Sequence, residues 1–403
     1  MRILCLTQVF PPDPAAVGQY FHDLIGQALA AGHSCTVITS SRGYENPGLK
    51  FPSRREKRYR VIRLPLTSVN KKILALRILG SVSFVLLGVL RALFTRFDLI
   101  LVSTSPPFAA PGAFILSWIR QKPFFYWVMD INPDQALALG LARKEQWSVR
   151  FWQAANRLIL RKACRVITLD RFMAERLEKA SPEVKISCVP LWPLVLPPLD
   201  PEQPGLLRRD LRLENKFLFM YSGNWNRTIS LLPLVQAVQT LPANVHLLLM
   251  GDGYGRKEIE DYLREKPMQT TLLPFSPLEQ LSSYLELADI HLVLQSHRME
   301  GILHPSKTYN ALASGKPVLF LGPRKNFFSD ILNRYDLGWF LEDPLDVQLL
   351  SRTLGEIAKS PELVQKKGLA ARSFCQMHSR EEVTLSLLGL LSQTPAHRFH
   401  HKI

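Results

Sequence analysis

The residues best suited to chemistry in this sequence are Pro305, Ser306 and Lys307, at the start of a predicted short helix. The apolar run Ile290–Leu294 before them is typical of a buried parallel strand, and Gly315 ends the helix. A helix that follows a parallel strand points free N–H groups into the crevice where α/β proteins bind ligands. A lysine in that first turn opposes the helix dipole unless an anion lies beside it. The motif therefore indicates either a site for an anion such as a diphosphate, or a solvated lysine on a surface helix.

Two glycine-bearing turns follow earlier apolar strands in the same half of the chain. They hold Gly223, Asn224 and Arg227 after the strand 217–221, and Gly251 and Gly253 after the strand 245–250. Parallel strands end at the same edge of a sheet, so these turns and the Lys307 loop should meet there. Glycine lets a ligand approach the backbone closely. The pattern predicts one binding site built from three loops.

Two carboxylates follow a predicted strand in the first half of the chain. The run Phe124–Met129 is apolar, and Asp130 and Asp134 lie in the proline-containing loop after it. Such loops carry much of the chemistry of α/β proteins, so both aspartates are candidate catalytic residues. The alternative is that Asp134 only caps the next helix.

The first forty residues predict a βαβ unit, with strands at 3–9 and 35–39 and a helix at 17–31. The first loop has no GxGxxG and no acid closes the second strand, which argues against an NAD site. Gly18, at the helix start, can still let a ligand approach the backbone. The second half repeats the alternation of strands and helices. We expect an α/β fold with parallel sheets and helices on both faces.

Composition narrows the class of protein. The chain has 403 residues, enough for two domains, and is 47% hydrophobic. Its five cysteines are scattered without a CxxC, which favours a reducing, cytoplasmic compartment. Residues 1–10 read as a first strand and not as a signal peptide. We find no sequence pattern of metal ligands and expect no metal and no cofactor.

Excess positive charge is concentrated in one segment. The formal net charge is +16, and ten Lys or Arg lie between Lys50 and Arg77 with the single acid Glu56. A helix at 73–94 follows, with 13 uncharged residues from Ile78 to Leu90. That core would span roughly 20 Å, short of the ~30 Å bilayer core, so it is not expected to cross a membrane. Segment 50–94 is either a membrane-surface element, which we favour, or a buried helix with a basic neighbour. Nucleic acid is not an expected partner because no reading motif accompanies the charge.

Prolines at 193, 197, 198, 201 and 204 mark the best domain boundary. We expect an N-terminal domain at 1–192, a linker at 193–205 and a C-terminal domain at 206–375. Residues 376–403 are interpreted as a helix and tail that can pack back on the N-terminal domain.

With these motifs in place, the chain resembles the retaining glycosyltransferases of family four. The resemblance covers nearly the whole length and rests on the segments Val189–Trp192, Tyr221–Asn224, Gly251–Gly253, Met299–Gly301, Pro305–Lys307 and Ala313–Pro317. It implies the GT-B fold, in which two Rossmann-like domains face each other. The branch it resembles makes bacterial capsule, O-antigen or colanic-acid-type polysaccharides. Those enzymes often use polyprenyl-diphosphate-linked acceptors at the inner face of the membrane.

The resemblance also implies roles for individual residues. The second domain would bind a nucleotide sugar as substrate, with the diphosphate near Gly223, Asn224, Arg227, Ser306 and Lys307 and the nucleotide near Gly251 and Gly253. The cations would do the work that a metal does in other transferases. Gly18 would let a substrate approach from the first domain.

The sequence departs from the family pattern at two places. The family commonly has two glutamates separated by seven residues; Asn310 aligns with the second, and Glu300 lies two positions from the first. Asparagine can still hydrogen-bond a ribose hydroxyl, though less strongly than a carboxylate. The other departure follows Arg227, where the family often has a lysine five residues on and this chain has none.

The function predicted from the sequence is a membrane-peripheral, metal-independent glycosyltransferase. It would move a sugar from a nucleotide donor to a lipid-linked or glycan acceptor on the cytoplasmic face of an anionic membrane. Two alternatives stay open: a GT-B-type nucleotide-sugar epimerase, and a non-catalytic membrane scaffold that binds nucleotide sugar.

Overall fold

The computed structural model describes residues 1–44, 46–67, 74–194, 196, 200–225, 227–266 and 269–393. They form two compact units. The first unit contains Met1–Leu191, the loop Gly301–His304 and the C-terminal segment from Arg380. The second contains Trp192–Glu300 and Pro305–Ser379. The sequence-based division did not separate the loop Gly301–His304, because four residues carry no periodic pattern of their own.

The first unit is built on parallel strands with connecting helices. Its strands are β1 (Arg2–Leu6), β2 (Ser34–Ser40), β3 (Arg54–Arg55), β4 (Tyr59–Leu64), β5 (Leu99–Ser103), β6 (Phe124–Trp127), β7 (Arg165–Thr168) and β8 (Ile186–Cys188). Its helices up to Leu191 are α1 (Ala16–Ala30), α2 (Leu74–Leu93), α3 (Ala109–Arg120), α4 (Asp134–Ala138), α5 (Trp147–Lys162) and α6 (Arg171–Ala180).

Within the described residues these strands make one sheet in the order β3-β4-β2-β1-β5-β6-β7-β8. All neighbours are parallel except β3 and β4, which pair antiparallel. The central strand β5 is buried at every position, as expected for a parallel strand covered on both faces. The predicted α/β class with parallel sheets is confirmed for this unit.

The basic segment contains two strands that the sequence analysis did not predict. β4 pairs with β2 along six residues, from Cys35 opposite Tyr59 to Ser40 opposite Leu64. One of its cations, Arg63, donates from Nη1 to the carbonyl oxygens of Phe10 at 3.3 Å and Ser40 at 3.1 Å. The β-branched and aromatic residues Val61, Ile62 and Tyr59 in this segment were the missed strand signal.

Helix α2 is longer than its uncharged core. Its 20 residues span about 30 Å at 1.5 Å per residue. By length and composition alone, the stretch Leu76–Leu93 is long and apolar enough to cross a membrane. The length argument against a membrane span counted only the uncharged core and is therefore wrong, while the expectation that this helix does not cross a membrane stays a prediction. One face, with Phe84, Gly88 and Ala92, is buried against the domain.

The second unit has the elements of a second Rossmann-like domain. Its strands are β9 (Phe217–Ser222), β10 (Val245–Met250), β11 (Thr270–Leu273), β12 (Ile290–Leu294), β13 (Val318–Leu321) and β14 (Gly338–Leu341). Its helices are α7 (Gln203–Asp210), α8 (Leu232–Val238), α9 (Arg256–Glu265), α10 (Leu281–Glu286), α11 (Lys307–Ala313), α12 (Phe327–Tyr335), α13 (Val347–Ala358) and α14 (Pro361–Met377). Helix α7 begins inside the stretch that was expected to be a linker.

The described strands of this unit form one parallel sheet in the order β11-β10-β9-β12-β13-β14. The order reverses direction at β9 and β12, where α/β sheets usually bind ligands beyond the carboxyl ends of the strands. The turns after these two strands carry Gly223 and the Lys307 segment. The core on one face includes Phe219, Leu247 and Leu292.

The last helix, α15 (Arg380–Ser392), belongs to the first unit. Its apolar side, including Leu387 and Leu391, is fully buried, and the helix packs against α1. The tail from residue 394 lies outside the described residues.

Candidate functional site

Lys307 is the first residue of α11, and its environment is unusual for a lysine. The Nζ atom lies 3.5 Å from the centroid of the Tyr221 ring, at the end of β9. A Cβ placed on Gly223 would lie 3.8 Å from Lys307 Cδ, so the lysine stem runs beside that turn. No described carboxylate forms an ion pair with Lys307. Burial lowers the pKa of Lys307 to about 7. An anion bound here would restore the charge.

Tyr221 is the platform under this lysine, and the sequence analysis gave it no role of its own. Its hydroxyl donates a hydrogen bond to the carbonyl oxygen of Asn224 at 2.9 Å. Burial raises the pKa of Tyr221 above its usual range, so the ring is neutral near pH 7. A neutral aromatic face attracts a cation by about 0.5–2 kcal/mol. The ring therefore holds the ammonium in place without neutralising it.

The turns after β9 and β10 interlock through backbone contacts. Gly251 has φ +130°, and a Cβ there would lie 2.1 Å from the carbonyl oxygen of Gly223. Gly253 has φ +147°, and its Cβ would lie 2.4 Å from the carbonyl oxygen of Trp225. Both positions require glycine because backbone occupies the side-chain space. This packing explains the glycines, while their predicted contact with a nucleotide stays a prediction.

One arginine lies in the first of these turns, and another begins the helix that follows the second. The Arg227 guanidinium lies 5.2 Å from the Tyr254 ring centroid and makes no ion pair in the part of the chain that is described. Arg256, which the sequence analysis missed, donates to the Gly251 carbonyl oxygen at 2.6 Å and to Glu260 at 2.7 Å. Arg256 therefore supports the second turn, whereas Arg227 remains available to a ligand.

The other predicted donor residues lie around α11. Ser306 occupies the N-cap position of α11, and its hydroxyl makes no capping hydrogen bond. The Pro305 carbonyl accepts from Thr308 Oγ1 at 2.9 Å. The side-chain oxygen of Asn310 accepts from the Leu194 backbone N–H at 2.7 Å. Asn310 thus fixes the backbone at Leu194, near the start of the second unit. This structural role accounts for the residue without a ligand.

Glu300 follows a short 3-10 helix, His297–Met299, and its N–H donates to the His297 carbonyl at 3.2 Å. It is the last residue of the second unit before the loop Gly301–His304. Its predicted catalytic role stays a prediction.

The two aspartates after β6 have different environments. Burial raises the pKa of Asp130 to about 6, and its backbone N–H donates to Thr104 Oγ1 at 3.2 Å. Asp134 is the first residue of α4 and accepts from Arg176 Nε at 2.5 Å. The N-cap of α4 is Pro133, so the alternative reading of Asp134 as a cap is wrong by one position. The raised pKa makes Asp130 a stronger base than an ordinary aspartate, whereas the Asp134 carboxylate is already paired with Arg176.

A buried pair in the first unit escaped the sequence analysis. His304 Nδ1 lies 2.8 Å from Asp170 Oδ2, and the two side chains are 0% and 5% exposed. The other Asp170 oxygen accepts from Met173 N–H at 2.8 Å and caps α6. The pair ties the loop Gly301–His304 to the end of β7. His304 stands beside the Lys307 motif in the sequence, but spacing alone gave no hint of a partner 134 residues away.

Gly18 lies buried in the first turn of α1. A Cβ there would lie 2.9 Å from the Phe10 Cα atom, so the helix could not pack on its own preceding loop. This contact explains the glycine, and the predicted ligand approach stays a prediction. Among the described residues no group of three or more His, Cys, Asp or Glu is arranged to hold a metal ion.

Comparisons with known proteins agree with this architecture. A model of the glycosyl transferase 4-like domain matches residues 15–192. The protein named as colanic acid biosynthesis glycosyl transferase WcaI of Escherichia coli K12 is 26% identical over 334 residues, which cover 78% of this chain and 82% of that protein. The protein named as glycosyltransferase WbjE of Pseudomonas aeruginosa is 23% identical over 395 residues, 95% of this chain and 96% of that protein.

Solved structures share the fold. HepE from Anabaena, in complex with UDP and glucose, has a TM-score of 0.73 at 16% identity, covering 97% of this chain and 99% of that chain. Sucrose-phosphate synthase from Thermosynechococcus elongatus has a TM-score of 0.73 at 19% identity, with 98% of each chain covered. Together with the two parallel sheets, these likenesses confirm the predicted GT-B fold, and the domain match and the two relatives bear out the predicted resemblance to the family-four glycosyltransferases.

Proposed function

We propose that this glycosyltransferase moves a sugar from a nucleotide-sugar donor to a lipid-linked or glycan acceptor in the synthesis of a surface polysaccharide, with retention at the anomeric carbon and without a metal ion. The observation that carries the proposal is Lys307. It is a cation with a lowered pKa, held on the Tyr221 ring beside Gly223 at the carboxyl edge of a parallel sheet. Such a group needs an anion, and a nucleotide sugar supplies a diphosphate.

The chemistry requires stabilisation of a leaving group. The acceptor oxygen forms a bond to the anomeric carbon, the bond from that carbon to the diphosphate oxygen breaks, and the acceptor hydroxyl loses its proton. Lys307 and the unpaired Arg227 would neutralise the charge that develops on the diphosphate, which removes the need for a divalent cation. Lys307 would gain a proton on donor binding and hold it during the reaction.

The first unit supplies a proton acceptor in this proposal. Asp130, with a pKa of about 6, is ionised at pH 7 and is a stronger base than an ordinary aspartate. Asp134 is less suited because Arg176 already accounts for its charge. We therefore assign the role of base to Asp130.

The acceptor class and the nucleotide rest on relatives. WcaI is named for colanic acid biosynthesis, and the HepE structure contains UDP and glucose. A polysaccharide acceptor and a uridine nucleotide are accordingly the first candidates for this chain, and UDP-glucose is the first probe.

Peripheral attachment to the cytoplasmic face of a membrane is part of the same proposal. The outward face of α2 exposes Leu79 (58%), Leu86 (63%) and Leu90 (54%) to solvent. Near the end of that helix, burial and the neighbouring guanidiniums of Arg91 and Arg55 lower the pKa of Arg60. Several cations therefore adjoin an exposed apolar helix face, the combination that binds anionic lipid surfaces.

The donor test is a thermal-shift screen against UDP-, GDP-, TDP- and ADP-sugars, since a ligand that binds only the folded state raises its melting temperature. The nucleotide sugar that binds is then incubated, with labelled sugar, with membrane lipid extracts. Transfer of label to lipid or glycan is expected, and Lys307→Met should abolish it. Release of an isomerised sugar without acceptor would select the epimerase instead. Binding without turnover would select the scaffold, and no binding by any nucleotide sugar would overturn the proposal.

The membrane test uses a matched pair of exposed leucines. Leu86→Glu, on α2, should weaken binding to vesicles with anionic lipid by about 5- to 30-fold, because a leucine buried in lipid contributes roughly 1–2 kcal/mol. Leu369→Glu, on α14, changes a leucine of equal exposure (62%) in the second unit and should have no effect. Equal losses in the two variants, or no vesicle binding by the wild type, would contradict membrane attachment through α2.

A further inference from the structure

A cavity of about 190 Å³ lies within the first unit, apart from the residues discussed for the donor. It opens between helices α5 and α6 and is closed on one side by the loop 131–134 after β6. Its apolar lining includes Leu160 and Leu177, which are buried. Its polar lining comprises Asn132, Asp134, Gln153, Asn156, Arg157 and Arg176.

The described lining of this cavity has two positive charges, Arg157 and Arg176, and one negative charge, Asp134. Asp134 is the sole carboxylate of the described lining and is bonded to Arg176 at 2.5 Å. Arg157, on α5, makes no ion pair or hydrogen bond with any described residue. Gln153, one turn earlier on the same helix, is likewise without a hydrogen-bond partner in the described part of the chain. The cavity therefore offers an unneutralised guanidinium and a free carboxamide donor.

These groups select the chemistry of a ligand. A guanidinium binds phosphate and carboxylate oxygens through paired N–H donors, and amide N–H groups add to the same acceptor. A cationic ligand would meet two arginines. A nucleoside would find no aromatic ring in the lining. Whole small-molecule sites usually occupy about 300–1,000 Å³, so this cavity suits a small anionic group rather than a complete lipid or nucleotide.

The surface around the cavity resembles a membrane interface. The outward side of α5 exposes Trp147 (80%), Phe151 (67%) and Leu158 (43%), which lie at helical spacing on one stripe. Arg150 and Arg157 flank that stripe. Tryptophan with arginine on an exposed amphipathic helix is typical of segments that lie in the headgroup region of a bilayer. A phosphate on a lipid would approach the cavity from this side.

We propose that the cavity between α5 and α6 is a phosphate-binding subsite, with Arg157 as its principal cation and Gln153 as a second donor. The phosphate comes either from a membrane lipid, the source that the exposed α5 stripe favours, or from a soluble phosphate compound. This subsite does not depend on the transfer reaction, and no nucleotide sugar enters its test.

The test compares two arginines of the same helix. Arg157→Gln and Arg150→Gln each remove one exposed positive charge from α5, but only Arg157 lines the cavity. Both are made in a Lys307→Met background, which removes the principal cation proposed for the donor site. Binding of inorganic diphosphate is measured by titration calorimetry. Binding to neutral vesicles, and to vesicles containing phosphatidic acid, is measured by flotation.

The expected result is that Arg157→Gln weakens diphosphate binding about tenfold and Arg150→Gln leaves it unchanged, since a charge-assisted hydrogen bond is lost only in the first. The phosphate is assigned to a lipid if the parent protein prefers phosphatidic acid vesicles and Arg157→Gln reduces that binding at least threefold more than Arg150→Gln does. Diphosphate binding with no difference between the variants on vesicles assigns it to a soluble compound.

Two outcomes would overturn the proposal: no diphosphate binding by the Lys307→Met parent protein, or equal losses of diphosphate binding in Arg157→Gln and Arg150→Gln. Because Arg157 is exposed and unpaired, its replacement should leave the melting temperature unchanged. A second variant, Asn156→Asp, places a carboxylate in the lining and should abolish diphosphate binding while leaving the charges on the outer side of α5 intact. Retained binding in that variant would also count against the subsite.

Discussion

Lys307 leads to a prediction about protons as well as about affinity. With a pKa of about 7, the free side chain is about 90% neutral at pH 8 and about 10% neutral at pH 6. A diphosphate held against the ammonium should return its pKa to the ordinary range of lysine. The protein should therefore take up about 0.9 proton per nucleotide sugar bound at pH 8, and about 0.1 at pH 6.

The same numbers give the effect on affinity. The binding-competent, protonated form is about one part in eleven at pH 8, so the apparent dissociation constant should be about tenfold higher than at pH 5, or about 1.4 kcal/mol weaker. The diphosphate of a nucleotide sugar is esterified at both ends and has no proton that titrates in this range. The change of the apparent dissociation constant with pH would consequently reflect the protonation of Lys307 and not that of the ligand.

The assay is calorimetric titration of the nucleotide sugar selected by the screen, in two buffers of different ionisation enthalpy at each pH. Lys307→Arg is the matched control because a guanidinium stays charged throughout, so this variant should bind without proton uptake. Lys307→Met should lose both the uptake and most of the affinity. Absence of uptake by the wild type at pH 8, or the same uptake in Lys307→Met, would refute this interpretation of the lysine.

Stability provides an independent check on the same residue. The pKa of Lys307 is lowered from 10.5 to about 7 on folding, so the unfolded chain binds more protons between these values and wild-type stability should rise with pH through that window. Lys307→Met removes this desolvated charge. The full shift corresponds to roughly 5 kcal/mol, and allowing for partial exposure and the lost contact with Tyr221 we expect about 1–3 kcal/mol of added stability at pH 7. A loss of stability in denaturant titration would contradict the stated cause of the shift.

Three further predictions concern the backbone turns, the buried pair and the proton acceptor. Gly251→Ala should destabilise the protein by roughly 2–4 kcal/mol because the added Cβ meets a backbone carbonyl oxygen. Gly205→Ala, in open space within α7, should stabilise the protein by about 0.5–1 kcal/mol. Equal melting temperatures of the two variants would contradict the assigned role of Gly251. His304→Ala should cost about 2–4 kcal/mol in urea titration by removing a buried partner of a carboxylate, and a change below 1 kcal/mol would show the pair to be dispensable. Asp130→Asn should remove most of the activity, and the activity that remains should no longer fall below about pH 6. Because the pKa of Asp130 is raised, wild-type stability falls as pH rises through 4–6, so the variant should be more stable than the wild type by about 1–3 kcal/mol at pH 8 but not below pH 4. An unchanged pH profile of activity would remove Asp130 from catalysis.

Much of this architecture could be predicted because local patterns determine it. Apolar runs of four to six residues identified the central strands β5, β9, β10 and β12, which are largely buried. The family resemblance then supplied the fold. The edge strand β3 and its neighbour β4 were missed because their cations suggested a charged surface segment, and strand pairing, not composition, decided the outcome.

The candidate site was less predictable, because sequence spacing says nothing about distant partners. The Lys307 motif was recognisable, but the Tyr221 ring beneath it depends on how two loops meet. Asp130 and Asp134 looked equivalent in the sequence, and only burial and the ion pair with Arg176 separate them. The pair of His304 and Asp170 joins residues from distant parts of the chain and carried no local signal.

The path of the chain through the two units has a practical consequence for dissection of the protein. Because the loop Gly301–His304 and helix α15 complete the first unit, a fragment ending at Leu191 would lack both and expose the α1 surface that α15 covers. Such a fragment should aggregate unless the missing helix is supplied as a peptide or fused in a circularly permuted chain. The two halves are thus interwoven in sequence, and neither is a transplantable module as a single contiguous segment.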